Sequence, residues 1–113
     1  MVKTKDEVKK IIKKFVGAVS KDYSVTQAIL FGSYAHNQAR ETSDIDLAVV
    51  SPDFRGKPEM EILQYLSRQA MKIDTSLEVL AFTPEDLISP DSRSFSYHIK
   101  TSGLPIIALK RSC

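Results

Sequence analysis

The sequence predicts an α/β (α+β) architecture in which helices pack against a small β-sheet. Three observations predict it. Apolar residues recur at helical spacing in Val8, Ile11, Ile12, Phe15, Val16 and Val19, and again in Ile62, Leu63, Leu66, Ala70 and Ile73. Between and after these stripes lie short apolar, β-branched runs over residues 25–31, 44–50 and 77–82, each closed by a turn signal. The two kinds of segment alternate with short connections, the pattern of layers sharing one core.

Each element has its own local reason. Thr4 and Glu7 stand three apart, as in a capping box in which each side chain satisfies a free amide at a helix start. Lys9, Lys10, Lys13 and Lys14 fall away from the apolar stripe and read as a solvated face. Residues 21–24 form a polar break, and the strand that follows ends at Gly32-Ser33. A short helix is expected over 34–41, then a strand over 44–50 that Ser51-Pro52-Asp53 stops. After a loop over 54–57, Pro58 suits the first turn of a helix, where its missing N–H costs nothing. The strand over 77–82 meets Thr83-Pro84-Glu85-Asp86, a helix start with an N-cap and two acids near the positive dipole end. A last helix is expected over 92–102 with Gly103 as its stop, and a closing strand over 104–109. Strand order and direction do not follow from pattern.

The composition excludes several classes. At 113 residues, 42% apolar and 27% charged, the chain has the make-up of one globular domain, expected to span 1–113. It is long enough to bury a core without a disulfide or structural metal. A net charge of +2 carries no message about partners, and nucleic acid is not indicated. No apolar run approaches a membrane span, and no signal peptide opens the sequence. The single Cys113 suits a reducing compartment, so a cytoplasmic location is expected.

The informative segment is Asp44-Ile45-Asp46-Leu47-Ala48-Val49-Val50. Alternate residues of a strand share a face, so Asp44 and Asp46 point one way while Ile45, Leu47 and Val49 point into the core. Paired carboxylates on a strand repel each other. A hard divalent cation resolves the conflict, because Mg²⁺ takes oxygen ligands. Taken alone, the pair also fits two exposed acids at a fraying strand end. Gly32-Ser33 adds a second feature. The turn follows a buried strand and opens an expected helix, so free amides and a helix dipole face one point. Ser33 can cap that helix or donate to a phosphate oxygen.

Ten residues separate Ser33 from Asp44. The pattern Gly-Ser-x10-Asp-x-Asp resembles the signature of the DNA polymerase beta-like nucleotidyltransferase superfamily. The wider string, Leu30-Phe31-Gly32-Ser33 with Ser43-Asp44-Ile45-Asp46-Leu47-Ala48-Val49, looks like its minimal nucleotidyltransferase branch. The resemblance implies a small mixed sheet with helices packed on it. It also implies a third acid on a neighbouring strand, and Glu78 stands at that place where Asp is usual. A second departure is His36-Asn37, where relatives carry Arg-Gly; Arg40, one turn later, is the compensating cation.

By this resemblance the reaction moves a nucleoside monophosphate, AMP from ATP or its equivalent from another nucleoside triphosphate, onto a hydroxyl. Asp44, Asp46 and Glu78 are the implied catalytic residues and the ligands of two Mg²⁺ ions. Gly32, Ser33, His36, Arg40 and Ser43 are implied on the nucleotide side. The branch includes antitoxin partners of HEPN-domain proteins, so such a protein is the implied acceptor, and a chain of this length is expected to hold no acceptor-binding domain. Other readings are a small-molecule hydroxyl acceptor, with a homo-oligomer forming the cleft, and a non-catalytic module that neutralises its partner by binding alone.

Overall fold

The computed structural model describes residues 4–32, 44–88 and 103–108. The elements run α1 (Lys5–Val19), β1 (Gln27–Phe31), β2 (Ile45–Val50), a 3₁₀ turn (Pro52–Phe54), α2 (Glu59–Ile73), β3 (Leu77–Phe82), α3 (Pro84–Ile88) and β4 (Leu104–Ala108). The helices expected over 34–41 and 92–102 lie outside the described residues. The strands form one mixed sheet in the order β3-β2-β1-β4. β1 is antiparallel to both β2 and β4, and β2 is parallel to β3.

Local chemistry sets the ends. The Thr4 hydroxyl accepts from the Glu7 amide at 3.1 Å, and the Glu7 carboxylate accepts from the Thr4 amide at 3.1 Å. Both orphan donors are thereby satisfied, as a capping box requires. Pro58 departs from expectation by one place. It is the N-cap of α2 with extended ψ of 130°, and its carbonyl accepts from the Ile62 amide. The region expected as loop over 54–57 begins inside the 3₁₀ turn, and Phe54 in that turn is buried. Its ring meets Tyr23 edge-on at 5.3 Å, so this aromatic belongs to the core.

The sheet is covered on both faces. On one face Ile45, Leu47 and Val49 join Ile12, Phe15, Leu66 and Ala70 of α1 and α2. On the other, Ile29, Phe31, Ala48 and Val50 pack with Leu87 of α3. β2 is central, which is why five of its six residues are buried. The exception is Asp46. Leu63, expected on the buried stripe of α2, is only half-buried because it sits where that stripe turns toward solvent.

Candidate active site

The site is built where β1 ends and where β2 and β3 begin. Antiparallel pairing sets Phe31 opposite Asp46, and parallel pairing sets Asp46 opposite Glu78. Three neighbouring strands thus carry one row, Phe31–Asp46–Glu78, with adjacent members about 4.8 Å apart. Asp44 immediately precedes β2, two residues from Asp46 and exposed. Period-two alternation puts it on the same face as Asp46. Glu78 is also exposed.

Gly32 fixes how Asp46 sits. Its φ is +73°, in the left-handed region that side chains rarely adopt. A Cβ on Gly32 would lie 2.2 Å from Asp46 Oδ2. The carboxylate therefore occupies the space that any other residue at position 32 would fill. This close approach explains why a glycine must end the strand.

The electrostatics follow from the packing. The Asp46 carboxyl is held above its ordinary pKa, first by burial, then by the negative charge of Glu78, then by that of Asp44. All three causes act against the charged form. Among the described residues no cationic side chain opposes these causes. A bound cation would reverse the balance, and carboxylate oxygens are the donors that hard divalent cations take. Among the described residues no three acid or imidazole side chains converge closely enough to form a metal cage by themselves. Carboxylates such as Asp44 and Asp46 are the donor chemistry that magnesium takes, ordinarily one or two of them with substrate phosphates and water completing its shell.

A cleft of about 550 Å³ opens beside the row and wraps the free edge of β3. Phe31, Asp46, Glu78 and Leu80 line one lip, and Ser67 and Met71 of α2 line the other. Sequence reasoning missed Ser67 and Met71. They stand on the face of α2 turned from its apolar stripe, and nothing local links them to acids on another element. Asp74, the other acid near β3, is engaged elsewhere: it accepts from the Ser76 amide at 2.8 Å and the Ser76 hydroxyl at 2.5 Å. Ser33, His36, Arg40 and Ser43 lie outside the described residues.

Comparison with known proteins agrees with this architecture. Residues 12–109 match the nucleotidyltransferase domain family. The chain belongs to that family and is a nucleotidyltransferase. It is 38% identical to a protein of Methanocaldococcus jannaschii named as a protein adenylyltransferase, over 53% of this chain and 73% of that one. Among solved structures it resembles one described as a nucleotidyltransferase from Sulfolobus solfataricus, with a TM-score of 0.65, 19% identity and coverage of 93% and 89% of the two chains. A second is a toxin–antitoxin structure with AMP-PNP, with a TM-score of 0.57, 21% identity and coverage of 90% and 74%. These two share the fold. Among the described residues no helix is long and apolar enough to cross a membrane.

Proposed function

We propose that the protein transfers AMP from ATP onto a hydroxyl of a protein partner of the HEPN type, with Asp44, Asp46 and Glu78 as its catalytic carboxylates. The observation that carries this reading is the register pair Asp46–Glu78, with the Asp46 carboxylate packed against Gly32. Adjacent like charges destabilise a sheet unless something opposes them. A nucleotide bound with its cation is the ligand that would do so. The name protein adenylyltransferase carried by the M. jannaschii relative, and the toxin–antitoxin assembly of the structural neighbour, support AMP as the group and a protein as the acceptor.

Asp44 and Asp46 would hold magnesium, which when bound neutralises triphosphate charge and acidifies the attacking hydroxyl. Gly32 carries no side chain, so the Asp46 carboxylate packs against its backbone and is held where the cation of a bound nucleotide would meet it. Glu78 stands outermost in the row, next to the open edge of β3. From there it accepts the proton of the acceptor hydroxyl as the oxygen bonds to the α-phosphorus. The bond from that phosphorus to the bridging oxygen breaks, and pyrophosphate leaves with the electron pair. The chain's contribution is position and charge, which phosphoryl chemistry chiefly demands.

The test begins with ATP alone. Calorimetric titration with Mg²⁺, repeated with excess chelator and with Asp44→Asn and Asp46→Asn, should show binding that each change abolishes. Labelled AMP should then appear on a hydroxyl of the partner. A folded chain that binds no nucleoside triphosphate, alone or with the partner, would overturn the reading.

A further inference from the structure

The outer face of α2 is an unpartnered surface with an unusual composition. Met60 and Met71 are 67% and 70% exposed, and both stand on this helix. At 100° per residue, Met60, Ser67 and Met71 fall within about 40° of arc. Ile62, Leu66 and Ala70, buried against the sheet, are centred about 120° away around the helix. Leu63 and Gln64 complete the stripe, and a shallow groove of about 550 Å³ follows it from Met60 to Arg68. Methionines at a surface make adaptable apolar contacts.

One flank of the stripe carries charges in a telling order. Glu61, Arg68 and Lys72 are all exposed and fall within about 40° of one another, centred about 100° around the helix from the methionines. Among the described residues Glu61 and Lys72 make no hydrogen bond or ion pair. Among the described residues Arg68 Nε donates to the Gln64 carbonyl of its own helix, at 3.4 Å. Consider a second α2 laid antiparallel across this face by a two-fold axis midway between Tyr65 and Leu66. Met60 then faces Met71 of the second copy. Glu61 falls between Arg68 and Lys72 of the second copy, about 3 Å along the axis from each. A two-fold axis keeps the same flank on the same side, so the pairing occurs twice. The apolar stripe and the charge order are both self-complementary.

We infer that the outer face of α2 is a homodimer interface, in which two antiparallel α2 helices pack Met60 against Met71 and pair Glu61 with Arg68 and Lys72. Ser67 lines both the stripe and the cleft beside Asp46 and Glu78, so the second copy lies along the outer lip of that cleft. One helix pair covers less than the roughly 800 Å² per partner of a standard interface, so the dimer dissociates on dilution. This inference does not rest on the proposed reaction.

Sedimentation equilibrium of the chain from about 1 μM to about 1 mM reads it directly, because mass action makes the dimer fraction follow concentration. A reversible monomer–dimer equilibrium is expected, weakened about tenfold or more by Met71→Glu. Glu61→Lys alone, and Arg68→Glu with Lys72→Glu, should each weaken self-association. A mixture of these two variants should restore it, because every pair across the interface is then of opposite charge. A chain that stays monomeric across the range, a dimer indifferent to Met71→Glu, or a mixture that fails to associate would each overturn the inference. Asp46→Asn, which abolishes the proposed nucleotide site, should dimerise as the parent does, so the two ideas stand or fall separately.

Discussion

The two ends of β2 solve opposite problems. At its far end, as throughout the described residues, no buried side-chain polar atom lacks a partner. Ser51 is fully buried, yet its amide donates to the Phe82 carbonyl at 2.9 Å and its hydroxyl accepts from the Asp53 amide at 3.1 Å. Asp53 accepts in turn from the Ser24 amide at 2.7 Å, and Tyr65 donates to Asp22 at 2.5 Å. That bond and burial push the Tyr65 hydroxyl above its ordinary pKa, with burial the larger cause. At the near end, Asp46 is crowded by Glu78 and Asp44 with burial added. One end is closed and satisfied; at the other, the described residues bring together negative charge and no opposing cation. The comparison teaches that stability and function are drawn from opposite ends of the same strand.

The sharpest way to break this contrast is to remove charge at the near end. Asp46→Asn should reduce nucleotide transfer on the order of 10³-fold while raising the Tm of the ligand-free chain near neutral pH. The sign follows from linkage. A carboxyl raised in the folded state costs stability as pH rises through its folded pKa, and asparagine carries no such cost. Added Mg²⁺ should raise the Tm of the parent and leave the variant unmoved. A variant less stable than the parent would show that repulsion does not dominate there.

Gly32→Ala tests the same end through the backbone. The new methyl meets Asp46 Oδ2 and the φ of +73° is unfavourable for alanine. A loss of about 1–3 kcal/mol is expected, together with a fall of at least about tenfold in triphosphate affinity. Unchanged affinity would detach Gly32 from the nucleotide.

At the far end the sign should reverse. Ser51→Ala removes the acceptor of the Asp53 amide and should destabilise the fold by about 1 kcal/mol, with ATP binding unaltered. The smallest effect concerns the Arg55–Glu85 pair, a two-point contact between exposed side chains that joins the 3₁₀ turn to α3. Arg55 holds the Glu85 carboxyl at about 2, below its usual 4.5. Its contribution is present above that usual value and is lost as pH falls toward 2. Glu85→Gln should therefore lower the Tm by about a degree at neutral pH, flatten the slight slope over that acid range, and match the parent near pH 2.

Much of the near end was legible in the chain. Period-two alternation assigned Asp44 and Asp46 to one face and Ile45, Leu47 and Val49 to the core. The bounds of β3 came out as expected, because apolar runs and turn residues act locally. Pro58 was misplaced by one position, since proline suits both a helix N-cap and its first turn, and only the carbonyl bond to Ile62 distinguishes them. Phe54 was read as loop because its apolar partner, Tyr23, lies far away in sequence.

What the sequence determined alone was periodicity and punctuation: the capped stripe of α1, the alternation in β2, and the Gly32 turn ten residues and a serine before the acid pair. These depend on bonds and contacts within a few residues. Tertiary structure alone decided that β3 lies beside β2, parallel and in a register that sets Glu78 against Asp46. It also decided that Asp46 fills the void over Gly32, and that α2 turns Met71 to the lip of the same cleft. Such pairings join residues far apart in the chain. They are selected when whole faces are buried together, so no local pattern can encode them.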